Sequence, residues 1–387
     1  MGGQSSRRLP EKCLRIKFAA GSPQVRLTLL LLGLLLSACS PIPASPALLA
    51  PGTPVPSAGD AASLPSEAAT FPAPTLEPVT VTQTTTREPA GTVPALETPA
   101  ATPRPRPTPT PLPRVIAFGR YGSASGELAA PSGVAVASDA VFVVERDNHR
   151  VQRFTLQGQF VWQVGSAGSA PGQLSSPAGI AAFNGLLYVA DTNNRRVSVF
   201  NAADGAFVRT IGVGGNDFDQ LLAPIGVALD SVGKLFVADR GNFRIQVYER
   251  NDAPLRMIGS GGGREGQFGA LGPGGVVVDT HDTLYASDPS NDRILVFDFR
   301  GKYVFAFGGS GAEPGHLRQP TGLAVDRVGR IIVADTRNKR IAIFTADGHF
   351  VENKGAGDLA EPTAVAVDTQ NAQYIADTRN HRIVVLR

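Results

Sequence analysis

Short apolar segments rich in β-branched and aromatic residues recur from about residue 115 to the end of the chain, and Gly, Pro, Asn or Asp bound each of them. One set reads PSGVAV from Pro131, then VFVVE, RVQRF and, after a turn, GQFVWQVG. Such segments are typical of β-strands joined by tight turns. No 3.6-residue apolar period competes with them, so the pattern predicts an all-β domain.

The four-strand pattern repeats along the chain. Each copy opens at a proline, at intervals of 46, 47, 49, 47 and 42 residues: Pro131, Pro177, Pro224, Pro273, Pro320 and Pro362. A four-strand unit of about 45 residues is typical of one blade of a β-propeller. The six copies therefore predict a six-bladed β-propeller over residues 115–387.

The sixth copy ends after three strands, with RIVVLR at Arg387. The segment RVIAFG, which starts at Arg114, lies before the first copy and has the pattern of a fourth strand. An incomplete blade would leave an unpaired sheet edge, which proteins avoid. We therefore predict that an N-terminal strand at about 114–120 completes the sixth blade.

The segment VDRVGRIIVADTRNKRIAIF, Val325 to Phe344, resembles the signature of the NHL repeat family, and the resemblance recurs in all six copies. It implies a six-bladed propeller of four-stranded blades. NHL propellers of animal regulatory proteins bind RNA or protein on the face formed by the loops after the second strand, so the resemblance also implies a recognition role.

Each copy carries an acidic residue, an asparagine and an arginine at fixed spacing after its second strand: Glu145-Asn148-Arg150, Asp191-Asn194-Arg196, Asp239-Asn242-Arg244, Asp288-Asn291-Arg293, Asp335-Asn338-Arg340 and Asp377-Asn380-Arg382. Catalysis needs one site with differentiated pKa values. Six equal copies instead predict a structural brace, because Asp and Asn support turns and Arg pairs with carboxylates.

A second set of carboxylates follows the first strand of four copies: Asp230, Asp279, Asp326 and Asp368. The simplest role for them is to brace the following turn. A ring of four carboxylates near the propeller axis would also suit Ca²⁺, which prefers several oxygen ligands. Because turn bracing is the simpler role, no cofactor is expected, and Ca²⁺ in the central channel is the alternative.

Function is expected where the copies differ. The residue between Asn and Arg of the motif changes from copy to copy, and Arg is common just after the acidic residue. The candidate ligand-binding residues are Arg146, His149, Arg195, Phe243, Arg337, Lys339, Arg379 and His381. Those of copies five, six and one form a contiguous cationic run, which predicts a protein or an anionic cell-envelope polymer as partner: Arg337, Lys339, Arg379, His381, Arg146 and His149.

An enzyme of the lactonase or lyase type, with a metal in the central channel, is the alternative. Related six-bladed lyases hold their metal with histidines near the start of the inner strands. The matching positions here are Ser132, Ala178, Ile225, Gly274, Thr321 and Thr363. None of them is a histidine, and the five histidines lack metal-ligand spacing. No catalytic residue is assigned.

The first 114 residues differ in composition from the rest. A basic segment and the run LTLLLLGLLL lead to Leu36-Ser37-Ala38-Cys39, which resembles a bacterial lipobox. We therefore predict a lipoprotein signal peptide over 1–39, with a lipid on Cys39. Residues 40–114 are rich in Pro, Thr, Ser and Ala and predict a disordered linker. The localisation expected is the bacterial cell envelope, outside the cytoplasm.

Net charge does not point to nucleic acid. The whole chain has a formal charge of +3, but the basic excess lies in the leader, and residues 115–387 carry 26 basic and 27 acidic side chains. A basic domain would be expected of a nucleic-acid-binding protein. Nucleic acid is therefore not expected as a partner of the propeller.

Overall fold

A computed structural model of the protein describes residues 116–387. The expected signal peptide over 1–39, the lipidation site at Cys39 and the linker over 40–114 lie outside the described residues. Within 116–387, regular structure consists of β-strands and four short 3-10 turns. None of the helical turns in this part of the chain has the length and apolar character needed to span a membrane.

Six antiparallel sheets of four strands each make up the domain, and we number them blades 1 to 6 in chain order. The inner strands are Pro131–Ala137, Ile180–Phe183, Pro224–Leu229, Val276–Val278, Pro320–Val325 and Pro362–Val367. The second strands are Ala140–Glu145, Leu186–Asp191, Leu235–Asp239, Leu284–Asp288, Ile331–Asp335 and Gln373–Asp377. The third strands are Arg150–Thr155, Arg196–Asn201, Arg244–Tyr248, Arg293–Phe297, Arg340–Phe344 and Arg382–Leu386. The outer strands are Phe160–Val164, Phe207–Ile211, Pro254–Ile258, Tyr303–Gly308, Phe350–Lys354 and, in blade 6, Ile116–Phe118.

Blade 6 is completed by both ends of the domain, as predicted. The strand Ile116–Phe118 pairs antiparallel with Arg382–Leu386, with Ala117 opposite Val384 and Phe118 opposite Ile383. The ring of Phe118 lies 5.1 Å from that of Phe154 in blade 1. The six-bladed propeller is thus confirmed.

Six clusters of buried apolar side chains form the core, and each cluster draws on two neighbouring blades. The cluster between blades 6 and 1 contains Val143 and Phe154 from blade 1 together with Tyr374 and Ile383 from blade 6. Because this cluster resembles the other five, the junction between the two chain ends is packed as the rest of the ring is. Burial of apolar surface between blades therefore holds the ring closed.

Glycine in the opening motif lets the inner strands approach one another around the axis. A Cβ at Gly179 would lie 2.5 Å from the carbonyl oxygen of Ile225 on the next inner strand. Blades 1, 3, 4 and 5 also have glycine at this position, and blade 6 has Ala364. The inner strands of blades 2 and 4 begin after this glycine, at Ile180 and Val276, later than the sequence predicted. The other four inner strands instead begin at their proline and show an irregular register beside it.

Glycine-rich connections link each outer strand to the next inner strand. Each connection is anchored by one fully buried apolar side chain, such as Leu174, Phe268 or Leu317, as expected. Two connections form short parallel pairs, Val213–Gly214 with Gln220–Leu221 and Ser260–Gly261 with Gln267–Phe268. These anchors fix each connection close to the loop that carries the repeated motif.

Candidate recognition face and axial cavity

The repeated acidic residue is the centre of a buried brace, as blade 2 shows. Asp191 is fully buried at the end of the second strand. Its carboxylate accepts hydrogen bonds from the backbone N–H of Ser175 at 2.7 Å, from Asn194 Nδ2 at 2.8 Å and from Arg196 Nε at 2.8 Å. The guanidinium also donates to the carbonyls of Ser169 and Gln173 in the connection. The three side chains therefore tie the connection to its blade.

The same brace recurs in the other blades, except that in blade 3 Arg244 Nε lies 3.6 Å from the Asp239 carboxylate and makes no hydrogen bond to it. The carboxylates of Glu145, Asp191, Asp239, Asp288, Asp335 and Asp377 are all fully buried. Burial raises the pKa of the Asp335 carboxyl, while hydrogen bonds from the Arg318 N–H, Asn338 and Arg340 lower it. A buried carboxylate stays ionised only when donors replace its lost water. The predicted structural role of the motif is confirmed by these contacts.

The residue between Asn and Arg of the motif has a left-handed backbone in every blade. The φ values of His149, Arg195, Phe243, Asp292, Lys339 and His381 lie between 53° and 56°. Non-glycine residues rarely adopt this conformation, because it costs about 1 kcal/mol or more. The surrounding brace imposes it, so the side chain at this position leaves the loop in the same direction in each blade.

Three of these side chains contact the next blade. Nδ1 of His149 accepts a hydrogen bond from the N–H of Ser176 at 2.9 Å, and Nδ1 of His381 accepts one from the N–H of Ala130 at 3.1 Å. Asp292 accepts one from Gln319 in the same way. The sequence suggested a ligand-binding role for the two histidines; the structure gives them a contact that holds neighbouring blades together.

Arg195 and Phe243 pack on glycines of the connection that follows. A Cβ at Gly214 would lie 3.0 Å from Arg195 Cδ, and one at Gly261 would lie 3.4 Å from the Phe243 ring. Arg195 is otherwise exposed, whereas Phe243 lines a hollow of about 470 Å³ between blades 3 and 4. Both candidates therefore lie on the same surface as the histidines.

Four cationic candidates are exposed on this surface. Arg146 pairs with Asp147 at 3.0 Å, with about half of each side chain exposed, and Arg337 donates to Gln319. Lys339 and Arg379 form no ion pair with any described residue. These four residues come from blades 5, 6 and 1, which are neighbours in the closed ring. We call this set the cationic arc, and the surface that carries the motif loops the motif face.

The second set of carboxylates braces turns at the other end of the blades. Asp230 accepts hydrogen bonds from the N–H groups of Val232 and Lys234, and Asp279, Asp326 and Asp368 do the same two and four residues further on. The expected turn-bracing role is confirmed. Each carboxylate serves its own hairpin, so the four do not form an axial ring.

An axial cavity of about 410 Å³ opens on the motif face. The six positions that were compared with the metal ligands of lyases in the sequence all line it: Ser132, Ala178, Ile225, Gly274, Thr321 and Thr363. Its wall contains no His, Cys, Asp or Glu, and residues 116–387 contain no group of three or more such side chains able to hold a metal ion. The described residues therefore do not fit either Ca²⁺ or a catalytic metal at this place.

The cavity wall does contain two charged side chains, Arg146 and Arg240. Arg240 follows the motif carboxylate of blade 3 and was not among the candidates chosen from the sequence. A signal was present, because blades 2, 5 and 6 carry the small residues Thr192, Thr336 and Thr378 at the equivalent position. An arginine where half of the repeats have threonine indicates a role other than the common scaffold.

The closed ring and its six braces define a six-bladed β-propeller whose motif face carries both the loops and the cavity mouth. The NHL repeat family matches this chain at residues 128–154, 174–200, 221–248 and 317–344, which belong to blades 1, 2, 3 and 5. Blades 4 and 6 have the same brace. Four blades thus match the NHL repeat, within a propeller of six blades.

Two curated proteins are similar to this chain in sequence. Protein lin-41 of Caenorhabditis elegans is 46% identical over 48 residues, which are 12% of this chain and 4% of lin-41. Protein brain tumor of Drosophila melanogaster is 30% identical over 146 residues, which are 37% of this chain and 14% of that protein. The similarity thus spans only a small part of each relative.

Solved structures share the fold. A protein of unknown function from Bacteroides thetaiotaomicron has a TM-score of 0.56 and 18% identity, covering 71% of this chain and 77% of that one. A gluconolactonase from Xanthomonas campestris has a TM-score of 0.51 and 16% identity, and the match covers 67% of this chain and 87% of the gluconolactonase. A streptogramin B lyase has a TM-score of 0.50 and 10% identity, and the match covers 71% of this chain and 97% of the lyase. At these identities the likeness concerns the fold alone.

Proposed function

We propose that this propeller is a recognition module that binds an anionic partner, a protein or a cell-envelope polymer, through the cationic arc of its motif face. The exposed charge of the arc carries the proposal. Arg146, Arg337, Lys339 and Arg379 lie on three neighbouring blades, whereas the motif arginines are held by buried carboxylates. Residues 115–387 have a slight acidic excess overall, so the positive charge is local to this surface.

Local positive charge of this kind attracts anionic partners and speeds their association in a salt-dependent way. The left-handed backbone of the residue between Asn and Arg favours binding at this surface, because it directs the Lys339 side chain away from the brace and leaves the brace intact. The three positions Arg337, Lys339 and Arg379 can therefore be changed without loss of a buried contact. That separation makes the arc suitable for a binding test.

The test compares two triple variants of the full chain. The first variant replaces three residues of the arc with Glu: Arg337, Lys339 and Arg379. The second replaces three residues at the outer-hairpin turns of the opposite face with Glu: Arg250, Arg300 and Lys302. The net charge changes equally. Binding to immobilised poly-L-glutamate and to poly(glycerol phosphate) is measured at low and high salt. We expect at least tenfold weaker, less salt-sensitive binding for the first variant only; equal losses in both would refute the proposal.

We also propose that the propeller is carried outside a bacterial cell by a lipid on Cys39. The run LTLLLLGLLL followed by Leu36-Ser37-Ala38-Cys39 supports this. Full-length protein expressed in bacteria should incorporate labelled palmitate, and the Cys39→Ser variant should not. Unlabelled wild-type protein that is nonetheless exported would contradict the anchor and leave the binding proposal intact.

A further inference from the structure

Arg240 has no acceptor for its side chain. It lines the axial cavity, its Nε is buried, and this atom makes no hydrogen bond to any described residue. No carboxylate of residues 116–387 forms an ion pair with it. The residue as a whole is partly exposed, but its buried Nε has lost its water and has no acceptor in exchange, which is costly.

The scaffold does not explain this arginine. At the equivalent position Thr192, Thr336 and Thr378 donate their hydroxyls to the carbonyls of Pro224, Pro362 and Pro131 on the next inner strand. A small hydroxyl thus meets the structural need of the position. Burial also lowers the pKa of Arg240, with no nearby charge to offset it.

The rest of the cavity wall has the chemistry of an anion site. Arg146 occupies the same motif position in blade 1, so the two arginines stand on either side of blade 2, whose Thr192 and Asn193 also line the cavity. Arg146 is held only by the half-exposed Asp147, and pairs of this kind contribute little and exchange readily. No wall residue is acidic.

We infer that the axial cavity binds a small carboxylate- or phosphate-bearing molecule, with Arg240 as the principal cation and Arg146 as the second. Guanidinium groups form paired hydrogen bonds with both kinds of oxyanion. A cavity of about 410 Å³ has the size of a small-molecule site. This site shares Arg146 with the cationic arc, but Arg337, Lys339 and Arg379 do not line the cavity, so variants of those three residues test the arc alone.

The test uses the full chain with two probes, inorganic phosphate and succinate, each titrated to 10 mM at constant ionic strength by calorimetry and by thermal unfolding. We expect saturable one-site binding of at least one probe, and the tighter probe identifies the ligand chemistry. Arg240→Gln should weaken that binding at least tenfold. Arg300→Gln, on the opposite face, should bind as the wild type does.

The Arg240→Thr variant separates a binding role from a structural one. It places in blade 3 the residue that blades 2, 5 and 6 already use, so we expect the unliganded protein to melt at the same or a higher temperature while probe binding is lost. A lower melting temperature together with unchanged binding would overturn the inference. So would the absence of saturable binding of both probes to the wild type. The poly-anion results for the arc would be unaffected by either outcome.

Discussion

A disulfide between the two chain ends tests the closure of the ring. Ala117 and Val384 are Cα partners on the strands that complete blade 6. Antiparallel partners lie about 4.5–5.5 Å apart, within the range of about 4.4–6.8 Å that disulfides span. Residues 116–387 contain no cysteine, so the double cysteine variant has one thiol pair once Cys13 and Cys39 are replaced by serine. The same pair of positions exists in blade 5 as Ala342 and Asn353.

The size of the effect follows from the length of chain that each bond encloses. The Ala117–Val384 bond closes a loop of about 270 residues, for which unfolded-state entropy gives a stabilisation of about 5–6 kcal/mol. The Ala342–Asn353 bond closes a loop of about 12 residues and gives about 3 kcal/mol. Both bonds join equivalent positions on a third strand and an outer strand, so in a closed ring they differ only in loop length. The terminal bond should therefore stabilise the protein by about 2–3 kcal/mol more than its counterpart in blade 5.

The measurement is guanidinium unfolding of the oxidised and reduced forms, with the four single cysteine variants as references. Thiol titration under native conditions shows whether each bond forms without denaturant. If the chain ends are paired, both bonds form in the native protein. A terminal pair that stays reduced while the blade 5 pair oxidises, or one that stabilises no more than the blade 5 pair, would refute the closed ring.

Two further predictions concern the repeated residues. Gly179→Ala should lower the free energy of unfolding by about 1–3 kcal/mol through overpacking, because the added Cβ would meet the Ile225 carbonyl. Gly263→Ala should have no effect, because nothing lies within 4 Å of a Cβ at that position. Equal stability of the two variants in urea would contradict this. Asp191→Ala leaves Arg196 and Asn194 without their buried acceptor and should cost about 3–5 kcal/mol, whereas the exposed Asp147→Ala should change little. A mild Asp191→Ala phenotype in thermal unfolding would show that the brace is dispensable.

Much of the fold could be predicted because it depends on local pattern repeated six times. The strand segments, the proline at the start of each copy and the incomplete last copy were enough to predict the partner of the strand at Arg382–Leu386. The brace was predictable for the same reason, since Asp, Asn and Arg at fixed spacing must meet across one loop. Its second set of contacts, to the carbonyls of the preceding connection, depends on how two separate segments pack.

The candidate site was less predictable from the sequence. Variation between copies identified His149 and His381, yet their Nδ1 atoms are acceptors for the next blade, and that contact depends on the αL backbone and on the angle between blades. The sequence shows Arg240 at a position where blades 2, 5 and 6 have threonine, but it does not show that the side chain lacks a partner. A sequence shows which residues are present, whereas an unpaired charge becomes visible only when every neighbouring group has been placed.

The motif face can change its ligands without changing its fold because different positions within one loop have different duties. In blade 5, Asp335, Asn338 and Arg340 hold the connection, Thr336 joins the next inner strand, and Arg337 and Lys339 are left exposed. In blade 3 the position of Thr336 is occupied by Arg240, which exchanges a contact between blades for a charge at the cavity. The loop therefore has one position directed to the axis and another directed to the rim. Substitutions at the first position would change which ligand the cavity binds, and substitutions at the second would change which partner the arc binds. The effects of Arg240 and Lys339 variants on the two kinds of binding should therefore be independent of each other.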